Sequence, residues 1–192
     1  YHVSGAAWRR DHGRKVEQGH HVSGEIFAPC AAASLYRRDA FDTVGGFDGD
    51  YFCYFEDVDL AFRMRLRGYR CYYAADAIVY HMGSAITGYQ SPFTTYHGHR
   101  NLVWTFVKNM PLPLFASYLL SHVVLNLASI VLYTFKGQPL VILRAKRDAI
   151  LGLRLAWRKR RQIQLQRTVS CLSLWRLMEK SPFELYRRAR GA

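Results

Sequence analysis

The residues best suited to chemistry are Glu56, Asp57 and Asp59, three carboxylates within four positions. They follow a glycine turn (Gly45, Gly46) and an aromatic run (Tyr51, Phe52, Tyr54, Phe55), and they open a helix predicted over residues 57–67. The helix dipole favours negative charge at that end. A carboxylate held there beside aromatic rings can act as a general base toward a flat, hydroxyl-rich substrate. Acidic capping of a helix is the plainer reading of the same pair. The helix is legible from Val58, Ala61, Phe62 and Leu66, which fall on one face at i, i+3, i+4 spacing. Asp59 and Arg63 make an i,i+4 pair on the side that the pattern leaves to solvent, and Gly68 is the C′ stop.

Other elements must position these groups. The small apolar residues of 26–35 (Phe27, Ala28, Cys30, Ala31 among them) predict a buried strand that lets a backbone or a sugar approach closely. Residues 38–44 predict a short helix ended by Gly45 and Gly46. Residues 70–73 and 77–80, rich in aromatic and β-branched side chains, read as short strands, the second closed by His81. Residues 1–24 read as a polar loop, and His20-His21 has no partner at metal-ligand spacing.

The totals bound the rest. A chain of 192 residues, half of them hydrophobic and 15% aromatic, can bury one core and is not disordered. Residues 1–135 hold 12 Lys/Arg against 11 Asp/Glu, whereas residues 136–192 hold 15 against 3, so the net charge of +13 belongs to the tail. Four scattered cysteines without a C-x-x-C pair predict reduced thiols in a cytosolic compartment. No signal peptide opens the chain, and a start at Tyr1 without Met is what a piece of a longer protein would show.

Several stretches together resemble one family: Tyr36-Arg37-Arg38-Asp39, Val44-Gly45-Gly46-Phe47-Asp48, Tyr54-Phe55-Glu56-Asp57-Val58-Asp59-Leu60, then Arg65, Gly68 and Tyr69, and Val79-Tyr80-His81. Over residues 26–109 the chain resembles the C-terminal part of a family 2 glycosyltransferase with a GT-A fold, of the bacterial rhamnosyltransferase-like kind. The resemblance implies an α/β, Rossmann-like domain and an inverting transfer with Asp57 as base and Glu56 orienting it or meeting acceptor hydroxyls. It implies that Tyr51, Phe52 and Tyr54 stack on sugar faces. His81, 24 residues beyond Asp57, would help to hold a divalent cation, Mg²⁺ or Mn²⁺. Arg100 and Asn101 would meet a phosphate of the donor or of a lipid-diphosphate acceptor. Asp48-Gly49-Asp50 and Asp57-Val58-Asp59 both spell D-x-D, yet neither stands where the family's metal motif belongs. That motif and the nucleotide-binding half are missing, so the isolated chain is expected to be inactive. His97-x-His99 as a zinc site is a weak signal.

Residues 112–135 form a 24-residue stretch without a charge, long enough to cross a bilayer. Ser117, Ser121, His122, Asn126 and Ser129 stack on one helical face, and both flanks are basic, so an in-plane or re-entrant helix fits better than a single crossing. The tail alternates Leu, Ile and Trp with Lys and Arg, which suits an anionic leaflet. The expected organisation is therefore an acceptor and catalytic half at 1–109, an apolar helix at 110–136 and a basic amphipathic tail at 137–192. The expected partners are a nucleotide-diphosphate sugar, a polyprenyl-linked glycan and the cytoplasmic face of the cell membrane. A non-catalytic membrane-surface adaptor is the alternative. Nucleic-acid binding ranks below both, because the aromatics lie away from the basic run.

Overall fold

The computed structural model describes residues 1–10, 22–82, 88 and 90–184. Its architecture is mixed, with seven α-helices and one two-stranded sheet among the described residues. Strand β1 (Gly24–Ile26) pairs antiparallel with β2 (Cys71–Tyr73), Ile26 lying opposite Cys71. Helix α1 (Arg38–Thr43) ends in Gly45 and Gly46, both at positive φ (79° and 65°), a conformation open to residues without a Cβ. Helix α2 (Glu56–Leu66) stops at Gly68, whose N–H donates to Arg65 O while the Tyr69 N–H reaches back to Met64 O. That pair of bonds is a Schellman ending.

Four long helices follow. In α3 (Pro92–Asn109) the Ser91 hydroxyl accepts the Thr94 N–H and Pro92 takes the first position, where a missing donor costs nothing. Helix α4 (Leu112–Phe135) covers the 24 uncharged residues, and α5 (Pro139–Leu151) returns after Gly137. At Gly152 a Cβ would stand 2.4 Å from the Trp104 ring, so glycine lets α3 and the corner that follows α5 touch. Helix α6 (Leu153–Leu165) and a short α7 (Cys171–Leu177) complete the order.

One core joins these parts. Phe62 and Leu66 of α2, Phe106 and Val107 of α3, Ala156 of α6, and Leu174 and Met178 around α7 are buried together with Val3 and Phe27. The basic tail is thus not a separate layer on the domain: α6 and α7 complete its interior. Residues 1–10 do not form a free loop either. Val3 N–H donates to Glu179 O and Glu179 N–H to Tyr1 O, which ties the segment to the end of α7. His20 and His21 lie outside the described residues.

Two strand expectations fail for physical reasons. Within 26–35 the ladder stops at Ile26; Pro29 lacks a donor, and Ala31–Ala33 coil into an exposed 3-10 turn. Residues 77–80 are exposed, with no strand pairing along them among the described residues. The sheet is accordingly a small antiparallel ribbon, and among the described residues no parallel sheet of Rossmann type is formed.

Candidate functional site

The segment from Asp48 to Asp57 owes its shape to groups on other elements. Three departures from ordinary backbone within four residues mark it: Phe52, Tyr54 and Phe55 all have positive φ, at 63°, 61° and 69°. Phe52 (ψ −63°) is the centre of a γ-turn in which the Cys53 N–H donates to Tyr51 O at 2.8 Å, a conformation that is rare and strained. Each such residue costs on the order of 1–3 kcal/mol and persists only where its surroundings over-determine it. The over-determination is visible. Asn101 of α3, fully buried, donates from one amide to the carbonyls of Tyr51 (3.0 Å), Cys53 (2.8 Å) and Tyr54 (2.7 Å). Arg100 donates to the carbonyls of Asp50 and Tyr51, binds Asn101 Oδ1, and lies 4.4 Å from the Trp104 ring.

Beneath the loop lies a buried charge network. Asp59 Oδ2 accepts from Arg63 Nε (2.9 Å), while Oδ1 accepts from Asn109 Nδ2 (2.7 Å) and Tyr51 Oη (3.2 Å) and pairs with Lys108 Nζ (2.7 Å). The Arg63 guanidinium also holds Val44 O and Gly46 O, which fixes the glycine turn. Lys108 reaches on to Asp48 at 2.6 Å and lies 4.7 Å from the Tyr51 ring. Burial, with the Asp59 charge next, keeps the Tyr51 phenol protonated well above its ordinary range.

These positions correct several expectations. Asp59 and Arg63 are buried rather than solvated: Lys108 and Asn109 close over Asp59, and the Val44 and Gly46 carbonyls take Arg63. Tyr51 is 1% exposed and cannot stack on a sugar. Asn101, with no exposed surface, cannot touch a substrate either; its amide shapes the loop, and Arg100 turns to the Asp50 and Tyr51 carbonyls.

What remains accessible is the mouth of the loop. Asp57 is partly exposed, with Oδ2 accepting the Ala31 N–H at 3.0 Å and Oδ1 the Val58 N–H at 2.7 Å. The 3-10 turn that replaces the expected strand thus supplies the donor that orients this carboxylate. Glu56 Oε2 is buried without a hydrogen-bond partner among the described residues, and burial, with the Asp57 charge adding to it, raises the Glu56 pKa. Phe52 is 75% exposed and forms a ring cluster with Phe93, His97 and, through Phe93, Tyr54. Phe93 and His97 of α3 were not singled out as partners of that cluster, and only their i,i+4 spacing could have hinted at a shared face.

The described residues do not make a metal centre. No group of three His, Cys, Asp or Glu converges among them, and His81 is exposed beside residues 83–87, which lie outside the described set. Asp48 and Asp59, one carboxylate of each D-x-D pair, are matched by Lys108.

A strained loop delivering a Glu-Asp pair to a helix start is the setting in which the chain's kinship can be read. Residues 6–101 match the family described as "Glycosyltransferase like family 2", and the chain belongs to that family. Over 75 residues it is 40% identical to N-acetylglucosaminyl-diphospho-decaprenol L-rhamnosyltransferase from each of two strains of Mycobacterium tuberculosis. The match takes in 39% of this chain and 24% of each relative, so the chain spans about a quarter of the length of those relatives. No solved structure matches the chain.

Proposed function

We propose that this chain is the acceptor-side part of an inverting glycosyltransferase. It would move a sugar, rhamnose by analogy with the mycobacterial relatives, from a nucleotide-diphosphate sugar to a hydroxyl of a polyprenyl-linked glycan, in cell-wall or polysaccharide biosynthesis. The observation that carries the reading is Asp57, held open at a helix start by the Ala31 N–H and following the exposed Phe52 and the half-buried Tyr54. In the reaction, Asp57 takes the acceptor hydroxyl proton as its oxygen bonds to the anomeric carbon from the face opposite the leaving diphosphate. The anomeric C–O bond breaks, its electron pair departs with the nucleoside diphosphate, and the anomeric configuration inverts. Glu56 binds a neighbouring acceptor hydroxyl. His81 is the one residue here offered to Mg²⁺ or Mn²⁺, whose other ligands would lie outside the described residues. Incubating the full-length protein with a labelled nucleotide-diphosphate rhamnose and a polyprenyl diphosphate N-acetylglucosamine should yield the rhamnosylated lipid with inverted configuration. No transfer, or retention of configuration, rejects the proposal.

A membrane site is supported by the inside-out character of α4. His122, Asn126 and Ser129 turn toward the protein, His122 Nδ1 meeting Ser4 O at 2.8 Å and Asn126 Oδ1 accepting from Lys146 of α5 at 2.6 Å. Ser117 and Ser121, expected on the same face, are exposed, and so are Leu119, Leu120, Val123, Val124, Leu127 and Val131. Burial draws Lys146 down to about 7. A transmembrane α4 would carry Lys146, with Arg144, Arg147 and Asp148 beside it, toward the bilayer centre, at roughly 2.5–3.5 kcal/mol for each charged residue. An in-plane helix avoids that cost and keeps both basic flanks on the anionic, cytoplasmic leaflet. Val124→Asp should weaken sedimentation with phosphatidylglycerol-containing vesicles by about tenfold. Unchanged binding would remove α4 from the membrane surface.

A further inference from the structure

The tail helix α6 carries its inward residues at i, i+3, i+4, i+7 and i+8: Ala156, Lys159, Arg160, Ile163 and Gln164. Two of them close the end of α3. Arg160 donates to Val107 O (2.7 Å) and Met110 O (2.5 Å), and Gln164 to Asn109 O (2.8 Å), supplying cations and donors where a helix C-terminus leaves carbonyls unmatched. With α6 fixed in this way, Lys159 reaches across 111 positions of sequence to Asp48 Oδ1 (2.5 Å) and onward to Asp50 Oδ2. Asp48 also takes Lys108 from α3 and caps the Asp50 N–H of the 3-10 turn Gly49–Tyr51. Burial alone would raise the Asp48 pKa; the Lys108 charge and the bonds from both lysines overcome it and hold the carboxyl well below its usual range.

The hollow between α6 and this turn is about 10 Å³, room for no more than a water molecule. Lys159 therefore serves the turn and not a ligand. The same turn feeds directly into Phe52, Tyr54 and Phe55, the three strained residues that aim Glu56 and Asp57.

We infer that Lys159 is a positioning residue and that α6, outside the stretch that matches the family, is a working part of the site: it clamps the Asp48–Asp50 turn against α3 and so fixes the register of the loop that presents Asp57. Its effect on turnover rests on the sugar-transfer reading; its grip on the loop does not. The test compares Lys159→Met and Lys159→Arg in the full-length protein by amide hydrogen exchange and by transfer kinetics. In Lys159→Met the amides of residues 49–57 should exchange about tenfold faster, the loss of charge-assisted hydrogen bonds, while those of Leu102 to Phe106 in α3 are unchanged. Turnover should fall by a similar factor with the donor KM unaltered, and Lys159→Arg should restore most of both. Unchanged loop exchange overturns the clamp, and so does equal loosening of loop and α3, which would mean general destabilisation. Loosening confined to the loop in a protein whose wild type transfers no sugar would uphold the clamp and reject the sugar-transfer reading.

Discussion

Asp57→Asn in the full-length protein is expected to lower glycosyl transfer by roughly 10²–10⁴-fold, the usual contribution of a positioned general base. Donor binding, read by calorimetry, should stay at the wild-type value. The substitution disturbs structure little because the asparagine oxygen can still accept the Ala31 N–H now bound at 3.0 Å, and only the Val58 N–H loses its Asp57 acceptor. The helix start and its turn should therefore survive, and circular dichroism should be unchanged. Glu56→Gln is the internal control. Its Oε2, partnerless among the described residues, is not needed to hold the fold, so the variant should lose affinity for acceptor more than turnover. If Glu56→Gln instead abolished turnover while Asp57→Asn kept it, the two roles would have to be exchanged. Retained turnover in both would leave the acidic pair with only its capping duty.

Much of the frame was legible because local rules dominate there. The span of α4 follows from a charge-free run that ends at Lys136 and a proline at 111 ahead of the helix, and α2 is displaced by a single residue from its expected start, ending at the glycine that the pattern names. Whatever depended on distant partners was not legible. An i,i+4 spacing makes Asp59 and Arg63 neighbours, but it does not say which face the pair occupies. Lys108 and Asn109, about fifty positions away on α3, decide that. Asn101 and Tyr51 stand in the right stretch of sequence to touch a substrate, whereas their partners are loop carbonyls and a buried carboxylate. Lys159 and Arg160 sit in a run of four basic residues that reads as facing an anionic leaflet, and only the folded chain brings Asp48 and the α3 carbonyls to them. The positive φ values at Phe52, Tyr54 and Phe55 leave no trace in residue type, since aromatic side chains are not those that favour that region. Such conflicts between local preference and global structure gather where a site is built.

The second large effect is expected at Asp59, on stability. Asp59→Ala removes a carboxylate with no exposed surface and leaves Lys108, itself 2% exposed, with Asp48 alone and Arg63 with carbonyls alone. Breaking one side of a buried ion pair costs about 3–5 kcal/mol because the surviving charge stays desolvated. For a chain of this size that corresponds to a fall in Tm of roughly 6–20 °C. Adding Lys108→Met should cost much less than the sum of the two single changes, since the second substitution removes the stranded charge. A coupling of about 0.5–3 kcal/mol is the range for groups in one network. The loss should persist in high salt, because buried pairs are weakly screened. A Tm within 2 °C of wild type, or a double variant whose losses simply add, would show that the network under the loop does not hold it. The consequence reaches the site, since Asp59 anchors Tyr51 at one end of the strained loop and Arg63 at the glycine turn behind it. Destabilisation without any change in loop exchange would therefore separate the stability of the core from the placement of Asp57, and would leave the Asn101 amide and the Lys159 clamp as the groups that aim it.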